Sequence, residues 1–341
     1  MRTLLLAAAA ALVMAGAAQA AGTKTVKDWT AVCSNIGDCT AFGFSAEDAD
    51  PGAYLKIDRQ AGPAAQPQVT IVLGAGDRQP TENWTLTLDG KPIAGLAPVH
   101  AVGSDSGARA TLSTAAAARL IEALRNGQSL ELKGTTEAGS VSLAGSAAVL
   151  LWVDDQQGRV GTVTALTKKG PAAAASVHAR GAPPLIRPAP PASQAGLPKR
   201  APKALAKGAE DCDPASDPDD TIARLAPGVV LWGPQCEGGA YNSVNVFFVG
   251  DERGAHVTRV KFPEAPGAGQ ARDDILMNVG FDAPSQTLSS FSKGRGIADC
   301  GSTASWVWDG KAFQMAHEEI MTECRRVPPD DWPVLFVSRQ K

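Results

Sequence analysis

The chain has 341 residues, 44% of them hydrophobic and 20% charged, with a formal charge of −3. So mild a charge excludes a strongly basic nucleic-acid-binding protein, and no nucleic-acid partner is expected. The length suffices for two domains of ordinary size.

Residues 1–20 read as a secretory signal peptide. Arg2 supplies a positive start, Leu4 to Ala18 an apolar stretch, and Ala18-Gln19-Ala20 a small-residue cleavage site. Cleavage is expected after Ala20, and the next residue, Ala21, is not a cysteine that could carry a lipid. No later stretch approaches the roughly 18 apolar residues of a membrane-crossing helix. The mature chain is therefore expected to be periplasmic or secreted, without a transmembrane anchor. All six cysteines lie beyond that point: Cys33, Cys39, Cys212, Cys236, Cys300 and Cys324. An even count in an exported chain reads as a disulfide framework. Sequence does not fix the connectivity, but spacing favours the local pairs Cys33–Cys39, Cys212–Cys236 and Cys300–Cys324. There is no C-x-x-C motif and no cysteine close to a histidine. No metal or other cofactor is expected.

The N-terminal half, residues 21–166, begins with strands. Asp28 to Cys33 and Cys39 to Phe44 flank a turn and predict a hairpin clipped by a disulfide. Val69 to Leu73 is a further strand. Trp84, Leu86 and Leu88 alternate with polar residues before the two-residue turn Asp89-Gly90. Ser113 caps a helix whose apolar face is Ala117, Leu120, Ile121 and Leu124, stopped by Asn126-Gly127. Leu143 to Val153 is apolar on nearly all sides and predicts a buried second helix.

Residues 167–209 differ from both flanks. They are rich in proline, alanine and basic residues, and Lys168 to Gly208 contains no acid. This composition predicts a disordered, extended, basic linker between two domains.

The C-terminal half, residues 210–341, reads as antiparallel strands. The acidic run Asp211, Asp213, Asp217, Asp219 and Asp220 lacks the glycine and glutamate of a calcium loop. It is read as capping a short helix through Leu225. Strands are expected at Val229–Trp232, Val244–Val249, His256–Phe262, Met277–Phe281, Thr287–Ser292, Ser302–Trp308, Lys311–Cys324 and Val334–Val337. Around Asp309-Gly310 a tight hairpin should pair Trp308 with Lys311 and Trp306 with Phe313. Alternation then puts Trp306, Trp308, Phe313 and Met315 on one face. That face reads as core, with an aromatic binding platform rimmed by Lys311 as the alternative. The fold class is thus mainly β with minor α, as two disulfide-bearing β-rich domains.

Candidate site residues are few. Gly103 to Gly107 lacks the pattern of a serine nucleophile. Gly74-Ala75-Gly76 has Gln79 and Pro80 where a dinucleotide loop needs glycine and helix. His317 and Glu319 are expected to share a strand face with Phe313 and Met315, where a histidine–carboxylate pair has acid–base chemistry available. Lys293, Arg295 and Lys311 are expected to form a basic patch for anionic polymer.

The run Lys293-Gly294-Arg295-Gly296-Ile297-Ala298-Asp299-Cys300-Gly301, the hairpin from Trp306 to Phe313 and the ending Cys324-Arg325-Arg326 through Trp332 to Leu335 resemble an exported bacterial family, domain of unknown function 1176. That resemblance covers most of the chain. It implies an envelope location and disulfides, and no activity. The N-terminal half is also similar to invasion-associated locus B proteins. It shares Asp28-Trp29 and Cys33 with Cys39, the Leu88-Asp89-Gly90 turn, and Val141 to Ala148 after a helix. It departs from them in lacking a second cysteine pair at 95–112. The expected function is non-enzymatic: binding or scaffolding in the envelope, of a protein partner, an attacking enzyme or a polymer. The alternatives are an envelope hydrolase working through His317, Glu318 and Glu319, and a purely structural protein.

Overall fold

The strand Trp29–Cys33 is buried at every position, which requires cover on both faces of its sheet. The computed structural model describes residues 21–341 apart from 75–76, 208, 210–211 and 269–273. The expected signal peptide lies outside the described residues. Antiparallel neighbours run outward from Trp29–Cys33 into an eleven-stranded sheet. Its inner face carries Trp29, Ala31, Leu55, Ile57, Ile71 and Trp84. The helices Thr114–Leu124 and Ser146–Gln156 cover this core. The first helix is capped by Ser113 and buries Ala117, Leu120, Ile121 and Leu124, as its spacing predicts. The sheet curls far enough for the Trp29 indole to donate to the Ser142 carbonyl at 2.8 Å.

The alternate residues of the same strands face the C-terminal half. Phe42, Phe44, Tyr54 and Val72 pack with Cys300, Met321, Val327 and Trp332 in one apolar cluster. The two halves therefore share core rather than standing apart in solvent.

Residues 167–209 correct the expectation of a disordered linker. Arg180 forms a two-pronged ion pair with Asp38, and Gly181 N–H donates to Ile36 O at 2.9 Å. Leu185–Ile186 pairs in parallel with Arg339–Gln340. Ala189 N–H donates to Trp308 O at 2.8 Å, and Ala201 N–H to Asp220 at 2.8 Å. Prolines leave few N–H groups to satisfy, and these donors find acceptors on neighbouring elements. The segment is a strap laid over both halves.

The C-terminal half is mainly antiparallel sheet, with the order Gly280–Asp282, Thr287–Lys293, Gly301–Trp308, Phe313–Met321, Val334–Val337 in its five-stranded part. Three local departures from the sequence reading have physical causes. Thr221–Ala226 is a strand and not a capped helix, because Ala223 and Leu225 alternate inward against Val229–Gly233. Val244 to Val249 divides at the buried Phe247 into strands of two different sheets. The hairpin after Trp308 is longer than two residues. The Asp309 carboxylate accepts from the Lys311 and Ala312 amides, so Trp308 pairs with Phe313 and Trp306 with Met315.

The bridges are local: Cys33–Cys39, Cys212–Cys236 and Cys300–Cys324. The first closes its hairpin directly, since Cys33 and Cys39 are register partners.

Candidate functional site

The strand Phe313–Met321 lies between two cavities. Its pairing with Gly301–Trp308 slips by one residue between Trp306–Met315 and Ser305–His317. The extra residue is Ala316, a β-bulge, and a bulge reverses which face the following side chains occupy. Met315, Glu318 and Ile320 thus face one cavity, while His317 faces the other. The expectation that His317 and Glu319 share a face with Phe313 and Met315 is corrected by that single residue.

The larger cavity, about 880 Å³, lies in the C-terminal half. Phe262, Leu276, Trp306 and Met315 make its walls, with Ser290 and Ser302 among the polar groups. Trp306 is 5% exposed and Trp308 6%, so the aromatic face is core rather than an open platform. Phe262 packs on Trp306 with ring centroids 5.1 Å apart, and the Trp306 indole donates to Pro263 O at 2.8 Å. Glu318 enters this apolar surface with 7% exposure, accepting from Ala265 N–H at 3.3 Å. Burial raises its pKa to about 7; the Ala265 amide opposes the shift and the neighbouring Glu264 charge adds to it. A carboxyl in this state is a proton donor or a hydrogen-bonding anchor near neutral pH.

The smaller cavity, about 590 Å³, lies where the halves meet. Thr40, Lys56 and Asp58 reach it from the outward face of the N-terminal sheet, and His317, Trp332 and Val337 from the C-terminal half. His317 Nε2 lies 3.2 Å from Glu319, and Glu319 also accepts from Thr303 at 3.2 Å. Lys56 and Asp58 alternate with the apolar Leu55 and Ile57 in the strand Ala53–Arg59. That alternation is the one signal in the sequence that marks this cavity, and the sequence expectations missed it.

Lys293, Arg295 and Lys311 do not converge. Lys293 pairs with Gly301 at one end of the strand Gly301–Trp308, and Lys311 lies beyond Trp308. Seven strand steps separate those ends by roughly 23 Å. Lys293 stands over the Phe291 ring, 5.6 Å from its centroid. Arg295 is engaged by Asp299 through two hydrogen bonds and donates to Cys324 O at 3.0 Å. It braces the loop before the Cys300–Cys324 bridge. Among the described residues no cluster of His, Cys, Asp and Glu is placed to hold a metal ion. No described helix is long and apolar enough to cross a membrane.

The chain is 28% identical over 348 residues to the uncharacterized protein YpfG of Escherichia coli (strain K12), covering 93% of each. No solved structure matches it. The match that defines it runs over residues 23–339, through both halves and the strap between them. By that match the chain belongs to the family described as Protein of unknown function (DUF1176).

Proposed function

We propose that the protein is a non-enzymatic binding module of the bacterial envelope, and that the cavity of about 880 Å³ in its C-terminal half holds the apolar part of its ligand. The observation that carries this reading is the combination of an aromatic wall, Phe262 and Trp306, with the buried carboxyl of Glu318. Pockets for small ligands pair a mostly apolar lining with a few placed polar groups. The signal-peptide pattern and the three disulfides support an exported location.

The test uses a neutral, environment-sensitive dye, N-phenyl-1-naphthylamine, with the mature protein. Bound dye should brighten. Ala304→Trp, which fills the cavity from a half-buried wall position, should abolish the signal. Dye that fails to bind, or binds Ala304→Trp equally well, removes the reading.

A second reading, an envelope hydrolase, is favoured by the same Glu318. A carboxyl that retains its proton near neutral pH is suited to general-acid work. Release of soluble fragments from envelope polymer by the wild type, and not by Glu318→Gln, would transfer the assignment to it.

A further inference from the structure

We propose that the cavity at the junction of the halves is a second site, built for a neutral oligosaccharide. The guanidinium of Arg59 at its lining is buried and donates to Thr164 O at 2.7 Å, and the other charges there are already matched. Arg180 is held by Asp38, Lys56 lies 3.3 Å from Asp331 and 3.6 Å from Asp58, and His317 faces Glu319. An anionic ligand would have to break these pairs, so charge does not select what enters. Neutral hydrogen-bonding groups remain at the wall and rim. Gln60, Gln66 and Gln68 line the cavity, and their side chains are exposed. Each amide offers both donor and acceptor, as each sugar hydroxyl does. Ser34 also lines it, is 1% exposed, and has a hydroxyl without a hydrogen-bond partner among the described residues. A buried hydroxyl in that state is costly unless something meets it. From the C-terminal half Pro333, Val334 and Val337 add apolar lining, which suits the C–H face of a pyranose ring. Paired charges, free amides and apolar lining together describe a polyhydroxyl ligand better than a phosphate or an acidic peptide. The site is separate from the Glu318 cavity, on the opposite face of the strand Phe313–Met321.

The experiment is a calorimetric titration of the mature protein with three tetrasaccharides: chitotetraose, cellotetraose and maltotetraose. Heparin serves as the polyanion control. At least one tetrasaccharide should bind, with affinity unchanged when salt is raised to about 0.5 M, where charge contacts are screened. Gln66→Ala with Gln68→Ala, two exposed positions, should weaken it about tenfold through two lost hydrogen bonds. Ala304→Trp should leave it unchanged, which separates this site from the other cavity. Binding by none of the three overturns the proposal. So does binding of heparin alone that salt removes, or saccharide binding indifferent to the glutamine changes.

Discussion

Tyr54 donates its phenolic hydrogen to the Asp331 carboxylate at 2.5 Å, across 277 residues of chain. Arg109 joins the same carboxylate at 3.2 Å and Lys56 at 3.3 Å. Two strands of the N-terminal sheet, Ala53–Arg59 and Gly107–Thr111, thereby converge on one C-terminal acid. Burial works against the Asp331 charge, but the hydrogen bonds from Arg109 and Tyr54, with the Lys56 charge nearby, hold its pKa below the usual carboxylate range.

Asp331→Ala should destabilise the protein by about 3 kcal/mol, the scale for removing one member of a buried charged network. Tyr54→Phe should cost about 1 kcal/mol. The depressed pKa sets the direction with pH. The stabilisation is present above the unfolded value of about 4 and is lost as pH falls through the folded one. Urea denaturation of the wild type should therefore show acid weakening below about pH 4, and Asp331→Asn should show less of it. Identical acid limbs would remove this carboxylate from the interface account.

Glu318 acts in the opposite sense. Its folded pKa of about 7 lies above the ordinary value of 4.5, so the folded state holds the proton longer than the unfolded chain. Stability should decline as pH rises between those two values and level off above them. Glu318→Gln should abolish that decline, leaving the variant more stable than the wild type at pH 8 by on the order of 3 kcal/mol. Parallel stability curves for the two proteins from pH 4 to 8 would show that the carboxyl is solvated.

The Cys300–Cys324 bridge closes a separation of 24 residues. Replacing both cysteines by alanine should cost about 3 kcal/mol in oxidising buffer. A non-reduced peptide map should contain three local pairs, and a peptide joining Cys33 to Cys212 would overturn the scheme.

Gly43 lies under the Trp29 indole. A Cβ built on it would sit 2.4 Å from the ring, and Trp29 is fully buried. Gly43→Ala should cost about 2 kcal/mol by overpacking, read as a lowered midpoint in thermal unfolding. Gly239→Ala, where nothing lies within 4 Å, is the control and should be near neutral.

Much of the fold was legible because local rules decide it. Ser113 and the apolar spacing from Ala117 to Leu124 specify a helix wherever they stand. Asp89-Gly90 makes its two-residue turn, with Leu88 opposite Lys91. The strap was misread because composition reports the core a segment lacks, not the acceptors that neighbours hold out to Gly181, Ala189 and Ala201. The capped helix through Leu225 was misread because aspartates before an apolar stretch suit a helix start, while period-two burial of Ala223 and Leu225 decided for strand. The site was half legible. Glu318 stood between His317 and Glu319 in sequence, but the environment that raises its pKa depends on Ala316, and no local pattern announces a bulge.

The bulge also makes the pairing register of the Phe313–Met321 strand a chemical variable. His317 and Glu318 are joined by one peptide bond yet belong to different chambers. If the strand paired regularly at its present length, Ala316 would stand opposite Ser305, and His317 and Glu318 would exchange: imidazole into the apolar chamber, carboxyl into the polar junction. Loss of Ala316 together with its bulge would instead leave both in place, since Ser305 would still pair with His317. Pairing register at this point therefore weighs more in comparing the chambers of relatives than chain length or many substitutions elsewhere.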